Sequence, residues 1–442
     1  MRRVTGVILF ALLPLTFTLP AQGQPAPRRL AFAEVATTAL QNNLQLRVAL
    51  LGVAVAEAQL AQARGAKTPQ VSVSGSYTRS QERPGQTLTF PNPFGPTPPE
   101  ITVTLTPADP NMLAVRLGVE FPLYTGGRLE SQIALAEASL RGARAVFART
   151  AQLVVFSAEQ TFLQILLAQE NVTAARRTLV QAEESLWVAR ARVQAGAAPE
   201  FDVLQADVAV AGARQGLVRA QTAAQNAQAE LNAMLNLPLA TSLDPTDTLE
   251  PRPVPGTLEA AVARATRDRP ELAELRARMD AARAAIDLAA SGARPNMVLG
   301  AYYDVGGSPS NLSGTWSVML AVTLSLSDGG ITRERIREAE LRLEQLKVLE
   351  AQTKQRIELE VRQAWLALDQ AAAEVTAATS GVEQGREAAR IAGVRYQAGV
   401  GTSLELLSAQ AALAQAELAL ASARFSQNVA RVRLILAAGG SL

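Results

Sequence analysis

The sequence predicts a mainly α-helical protein with a small β part patterned to cross a membrane, written as an internal duplication. Three observations carry this prediction. The runs 128–195 and 332–398 contain no proline, four short segments alternate in polarity, and sequence motifs recur at a constant spacing.

The first residues have the pattern of a secretory signal peptide, which we place at 1–23. Arg2 and Arg3 precede an apolar run at 4–19, and the small residues at 21–23 suit a signal peptidase. We expect cleavage after Gly23. The alternative is an N-terminal membrane anchor, for which the apolar run is short.

Composition excludes several function classes. The chain has no Cys and no His, so we predict no disulfide, no thiol or histidine catalysis, no zinc site, no cofactor and no catalytic residue. Its 42 basic and 40 acidic residues balance once Arg2 and Arg3 leave with the signal. No basic stripe suits a nucleic-acid backbone, so we expect no nucleic-acid partner.

The duplication is visible in two pairs of motifs. The segments 192–196 and 123–127 recur at 395–399 and 326–330, both 203 residues later. We therefore divide the mature chain into a first structural repeat at 24–237, a Pro-rich connector at 238–256 and a second repeat at 257–442. Repeats of one unit bury their surfaces together, so these are not independent domains.

Long helices dominate each repeat. The proline-free runs predict antiparallel coiled-coil hairpins at 128–236 and 332–437, whose first helices reach about 100 Å at about 1.5 Å per residue. Gly196 and Gly399 are candidate helix C-caps at the hairpin tips.

Four strands are predicted at about 70–79, 114–124, 296–305 and 315–326. Each has one apolar and one polar face and the length of a transmembrane β-strand; a soluble sheet packed on helices is the alternative. Between the strands of the first pair, the eight prolines of residues 80–111 predict a long exposed loop, and 306–313 its short counterpart.

Four strands are too few to close a barrel around an open lumen, and open edges cannot face lipid. Several copies must therefore share strands, although the pattern does not select three copies over four. Arg116 and Glu120 fall on the polar face and are the candidate lumen residues.

The chain resembles the TolC-like outer-membrane efflux family, the outer-membrane factors. The resemblance covers essentially the whole mature chain. It rests on the duplicated order and on five short motifs at the same relative places: 42–46, 125–127, 194–196, 328–330 and 396–399.

This resemblance implies a homotrimer with a shared 12-stranded barrel in the outer membrane and a trimeric α-barrel tunnel that extends into the periplasm. A periplasmic adaptor and an inner-membrane pump would dock at the hairpin tips. The protein would then be a passive exit duct, not an enzyme, in a tripartite efflux or type I secretion system. Drugs, other small molecules or proteins remain open as cargo.

The resemblance also implies a periplasmic gate. Asp202 and Glu405 match the acidic ring of the narrow entrance, and Tyr396 matches a tyrosine of the gate's bonding set. A second family acid is replaced here by Ser408, and a bracing arginine by Gly401.

Simpler roles compete with these gate roles. Glu405 also fits a capping box, and Asp202 fits the acid-favouring first turn of a helix. Gly196, Gly399 and Gly401 are turn residues as well as candidate adaptor contacts.

Two other functions fit part of the pattern. A structural or surface coiled-coil protein without channel activity would explain the helices but not the duplicated strands. A periplasmic adaptor would also have long hairpins, but the compact β-rich modules expected beside them are not evident in the sequence.

Overall fold

The structure is a computed structural model that describes residues 28–81, 86–95, 97–105, 109–253 and 256–440. The predicted signal peptide at 1–23 lies outside these residues. Most of the described chain is helical. The helices are α1 Phe32–Asn42, α2 Leu44–Gly65, α3 Arg128–Gln194, α4 Glu200–Met234, α5 Leu258–Asp268, α6 Pro270–Ala290, α7 Ile331–Gln397 and α8 Ser403–Ala437.

The strands are shorter than most of the helices. They are β1 Arg28–Leu30, β2 Gln70–Arg79, β3 Gln86–Pro91, β4 Glu100–Leu105, β5 Asn111–Tyr124, β6 Leu243–Pro245, β7 Asn296–Ser308 and β8 Asn311–Thr323.

The chain folds into two compact units. The first takes the described residues up to Ala39 together with Ala158–Leu249 and Gln384–Ala421. The second takes Leu40–Ser157, Glu250–Glu383 and the described residues from Ser422 onward. The long helices α3 and α7 contribute to both units, so the units do not coincide with the two sequence repeats.

The second unit holds a four-stranded antiparallel sheet with the order β2-β5-β7-β8. Its strands overlap the four segments of alternating polarity. Strand β8 ends at Thr323, before the predicted end at 326, because its pairing partner Asn296 is the first residue of β7.

Two loop predictions were wrong. Within 80–111, strands β3 and β4 pair as an antiparallel hairpin, because the stretches 87–90 and 101–105 contain no proline and can pair. Between β7 and β8, the predicted loop 306–313 shortens to the two residues 309–310, since Ser308 already pairs with Asn311.

Helices α3 and α7 each have 67 residues, and the returning helices α4 and α8 each have 35. Both tips end in a left-handed glycine, Gly196 at φ 71° and Gly399 at φ 76°. The amides of Ala197 and Val400 donate to the carbonyls of Arg192 and Arg395 at 2.8 and 3.0 Å. This pattern satisfies carbonyls that the helix end leaves unpaired.

Small side chains pack the helices. In the first unit, Ala182, Leu186 and Ala189 of α3 pack against Ala206 and Val210 of α4. Alanine lets helix backbones approach closely and favours the helix itself, so a long hairpin forms without a thick core.

A second packed cluster lies in the second unit. Leu272, Ile357, Val361 and Leu434 are at most 1% exposed and join α6, α7 and α8. The start and the end of the second repeat are therefore held in one apolar cluster with the middle of α7.

The connector 238–256 contains ordered structure. Its strand β6 pairs in parallel with β1, and Asp247 accepts a hydrogen bond from the backbone amide of Phe32 at 2.7 Å. The ring of Phe32 in turn meets Phe162 edge-on at 5.9 Å. The connector thus anchors the start of the described chain within the first unit.

Helices α2 and α3 are long and apolar enough to cross a membrane by length and composition, a criterion that buried helices of soluble proteins also meet. Helix α2 leaves an apolar stripe uncovered: Leu44, Val48, Leu51 and Val55 are 56, 69, 59 and 56% exposed. Their spacing places them on one face of the helix.

Candidate functional site

The four-stranded sheet separates apolar from polar side chains. Residues that pair directly across antiparallel strands share a face, so the register assigns every side chain. One face carries Val71, Val73, Tyr77, Leu113, Val115, Leu117, Val119, Phe121, Leu299, Ala301, Tyr303, Val305, Leu312, Trp316, Val318, Leu320 and Val322.

The opposite face is polar over most of its area. It carries Gln70, Ser72, Ser74, Ser76, Thr78, Arg116, Glu120, Tyr302, Asp304, Ser313, Thr315 and Ser317. The predicted lumen residues Arg116 and Glu120 both lie on this face.

The apolar face is not covered within the chain. Trp316, Val73 and Val318 are 78, 71 and 63% exposed. A continuous exposed apolar surface of this kind marks contact with lipid or with another protein. Tyr77, Tyr303 and Trp316 supply aromatic rings on it, as interfacial girdles of transmembrane barrels do.

On the polar face, Arg116 is ion-paired with Asp304 at 2.6 Å between Nε and Oδ1. Glu120 accepts a hydrogen bond from the hydroxyl of Tyr302 at 2.9 Å. The lumen residues predicted from the sequence did not include Asp304 and Tyr302. Their even positions in a strand with apolar odd positions were the signal that could have found them.

At the hairpin tips, the three predicted gate residues take three different partners. Asp202 accepts a hydrogen bond from the hydroxyl of Ser403 at 3.1 Å, which links α4 to α8. The Glu405 Oε2 lies 3.9 Å from the Arg395 Nε. Tyr396 is 4% exposed and belongs to the packed interior of the tip.

Tyr396 is held by Arg192, which sequence reasoning missed. The Arg192 Nη1 donates to the Tyr396 carbonyl oxygen at 2.9 Å, and its guanidinium lies 4.5 Å from the ring centroid. Arg192 and Arg395 occupy equivalent places in the two repeats, so the repeat alignment was the signal that could have identified Arg192.

The tip glycines differ in what they require. Positions 196 and 399 favour glycine because their φ angles are positive. At Gly401 a Cβ would lie 3.0 Å from the Cβ of Arg395 and 3.1 Å from the Tyr396 amide nitrogen, so close approach of the chain is what excludes a side chain there. Next to Gly401, the backbone amide of Glu405 donates a hydrogen bond to Thr402 Oγ1 at 3.2 Å. This bond is the forward half of a capping box.

Both strand-to-helix junctions also depend on glycine pairs. Gly126 and Gly127 precede α3 at φ 64° and 88°, and Gly329 and Gly330 precede α7 at φ 67° and 88°. Before α7, Asp328 accepts hydrogen bonds from Gly330 at 3.0 Å and from the Thr332 amide at 2.8 Å. Hydrogen bonds from Thr332, and to a lesser degree from Gly330, lower the pKa of Asp328.

Within the described parts of the chain, no cluster of three or more Asp, Glu, His or Cys residues is placed to hold a metal ion.

These features define a protein with long helical hairpins and an amphipathic sheet whose apolar face is exposed for contact with lipid or with another protein. The profile of the family described as "Outer membrane efflux protein" matches residues 35–237 and 261–440. The chain therefore belongs to the outer membrane efflux protein family, which confirms the resemblance to TolC-like channels.

Individual proteins agree with this assignment. The chain is 29% identical to the pyoverdine export outer membrane protein OpmQ of Pseudomonas putida over 66% of its own length and 63% of that relative. It is 24% identical to the outer membrane efflux protein BepC of Brucella suis over 92% of its length and 86% of the relative.

A solved structure shows the same fold. The crystal structure of a membrane protein from Pseudomonas aeruginosa matches with a TM-score of 0.75 and 25% identity, over 92% of this chain and 93% of that one. The protein is thus an outer-membrane channel component of an efflux system, a type of system that works with adaptor and inner-membrane pump partners.

Proposed function

We propose that three copies of this chain form one passive exit duct through the outer membrane. Each copy contributes β2, β5, β7 and β8 to a shared 12-stranded barrel, and the long hairpins line a trimeric tunnel. The observation that carries this proposal is the sheet itself, which has one exposed apolar face, one polar face and two open edges at β2 and β8.

Open edges carry unpaired backbone groups, which lipid cannot satisfy. Joining β8 of one copy to β2 of the next removes both edges and leaves the apolar face toward lipid. Twelve strands is an even number within the range of known barrels.

The exposed stripe on α2 supports the same assembly. Leu44, Val48, Leu51 and Val55 recur at helical spacing and lack cover within one copy. Packing against a second copy would bury them at roughly 25 cal/mol per Å² of apolar surface.

Two sites acquire roles in this duct. At the entrance, the carboxylates of Asp202 and Glu405 ring the opening and favour cations, while Tyr396 with Arg192 holds the tip closed. Within the barrel, Arg116 and Glu120 face the lumen.

The tips are the surface for partner proteins. Gly196 is open, since no atom lies within 4 Å of a Cβ built there. We place the adaptor contact at Gly196, Gly399 and Gly401, with the inner-membrane pump reached through the adaptor. The duct performs no chemistry; drugs, other small molecules or secreted proteins are its cargo.

The domain layout follows the duplication. The signal peptide at 1–23 is removed, the repeats at 24–237 and 257–442 each supply two barrel strands and one hairpin, and 238–256 connects them. The match of the family profile in two stretches supports this division.

Electrical recording tests the proposal. Mature protein reconstituted in a planar lipid bilayer is expected to give discrete conductance steps without nucleotide or other energy source. Folded protein that never conducts would reject the duct and favour a structural coiled-coil role.

A further inference from the structure

Four side chains form a continuous row on the polar face of the sheet. Arg116 and Asp304 are directly paired across β5 and β7 and bonded at 2.6 Å. The Arg116 guanidinium also lies 5.4 Å from the ring centroid of Tyr302, and the Tyr302 hydroxyl reaches Glu120 at 2.9 Å. The row thus runs from Asp304 through Arg116 and Tyr302 to Glu120.

Two glycines leave room for the Tyr302 ring to lie against the sheet. A Cβ at Gly300 would lie 2.7 Å from the Tyr302 hydroxyl oxygen, and one at Gly118 would lie 3.1 Å from Tyr302 Cδ1. Gly118 and Gly300 are both buried as a result, although both lie mid-strand. The absence of both side chains makes room for the ring, so the hydroxyl is directed at Glu120.

The charges of the row do not cancel. Arg116 and Asp304 neutralise each other, whereas Glu120 has an uncharged partner, the Tyr302 hydroxyl. The remaining side chains described on this face of the sheet are uncharged. The face therefore carries one net negative charge per chain, located at Glu120.

We propose that this row is the charge-selective element of the barrel lumen, with Glu120 as the carboxylate that attracts cations. This inference rests on the proposed duct, in which three copies place three Glu120 carboxylates around one lumen. A charged wall of low dielectric concentrates ions of opposite sign near it. Tyr302 is a positioning residue that holds the carboxylate against the wall.

The chain has no cysteine, so the rate at which one introduced cysteine is modified by a charged reagent reports the local electrostatic potential. Ser72→Cys suits this purpose, because Ser72 pairs with Gly118. Gly118 lies in β5 midway between Arg116 and Glu120, two residues from each. Val73→Cys is the matched control, one residue further on the apolar face. The rates of modification by a cationic and an anionic methanethiosulfonate are measured on protein in lipid vesicles.

We expect the cationic reagent to modify Ser72→Cys faster than the anionic one. Glu120→Gln should lower the ratio of the two rates by about twofold or more at 10 mM salt, where the Debye length is about 30 Å, and the difference should vanish at 1 M. Asp304→Asn should lower the ratio, Arg116→Gln should raise it, and Glu120→Asp should preserve it.

The outcomes separate this inference from the duct itself. If Ser72→Cys reacts, Val73→Cys does not, and all charge variants give one ratio, the selective row is rejected while the barrel stands. If the two cysteines react alike, or neither reacts, the barrel assignment fails. Circular dichroism of each variant shows whether it has folded, and only folded variants enter the comparison.

Discussion

The two repeats of this chain have the same backbone path where strand passes into helix, but different contacts. Gly126 before α3 and Gly329 before α7 adopt φ of 64° and 67°. A Cβ at Gly126 would lie 2.7 Å from the Cβ of Arg294, whereas nothing lies within 4 Å of one at Gly329. The first junction is packed, and the second is open.

The side chains that cap the two helices also make different hydrogen bonds. Thr125 accepts a hydrogen bond from the Leu129 amide at 3.3 Å, and Asp328, at the equivalent place, accepts from Gly330 and Thr332. A repeated motif therefore predicts backbone conformation, while the contacts of each copy depend on its surroundings.

The largest expected difference in stability is between alanine substitutions at the two junction glycines, Gly126 and Gly329. Gly329→Ala places a Cβ in the left-handed region and should cost about 1 kcal/mol. Gly126→Ala adds a clash with Arg294 and should cost about 3 kcal/mol, since overpacking adds about 1–3 kcal/mol. Thermal unfolding followed by circular dichroism at 222 nm measures both, and equal losses would contradict the packed-versus-open comparison.

The hairpin tips provide the next comparison. Arg192→Gln removes a charged hydrogen bond and a cation–π contact with Tyr396, together about 1–2 kcal/mol. Amide hydrogen exchange near the tip should accelerate about tenfold. Arg395→Gln, which removes only the 3.9 Å contact with Glu405, should change exchange much less; a larger effect there would reverse the assigned roles.

The two junction caps should differ in their response to pH. Hydrogen bonds lower the pKa of Asp328 below its ordinary value of 3.8 in the folded chain. The stability they supply is present above that ordinary value and is lost as pH falls through the lower, folded pKa.

Asp328→Asn should therefore be less stable than the parent at pH 7, and the two melting temperatures should converge as the solution is acidified below pH 3.8. Thr125→Ser, at the first junction, is the control without a titrating group. A difference between parent and Asp328→Asn that persists undiminished at low pH would show that the cap acts through shape alone.

The smallest destabilisation is expected between β2 and β5. Residues 80–110 connect Arg79 to Asn111, which already pair, whereas the second repeat connects Ser308 to Asn311 with two residues. Replacing 80–110 by the pair at 309–310 should not lower the melting temperature, because about four halvings of loop length, at about 0.6 kcal/mol each, favour the folded chain by about 2 kcal/mol at most. A large loss would assign the β3–β4 hairpin a structural role.

Periodicity predicted the parts of the fold that one strand or helix specifies by itself. The alternation around Arg116 identified both the strand and its polar face, and the proline-free runs located α3 and α7. The β3–β4 hairpin was missed because the prediction considered the number of prolines in 80–111 and not the proline-free stretches 87–90 and 101–105.

Partners across the two repeats could not be read from the sequence. Tyr302 reaches Glu120 and Arg192 reaches Tyr396 only because folding brings segments about 200 residues apart together. The sequence marks each residue type and its face, but the pairing depends on strand register and on how the two hairpins meet.

Electron microscopy of the mature protein in detergent tests the central claim, a barrel shared by three copies. We expect three-fold particles with a detergent belt around the sheet region and a helical stalk of about 100 Å, from 67-residue helices at about 1.5 Å per residue. Compact monomers, or rods without a detergent belt, would contradict it.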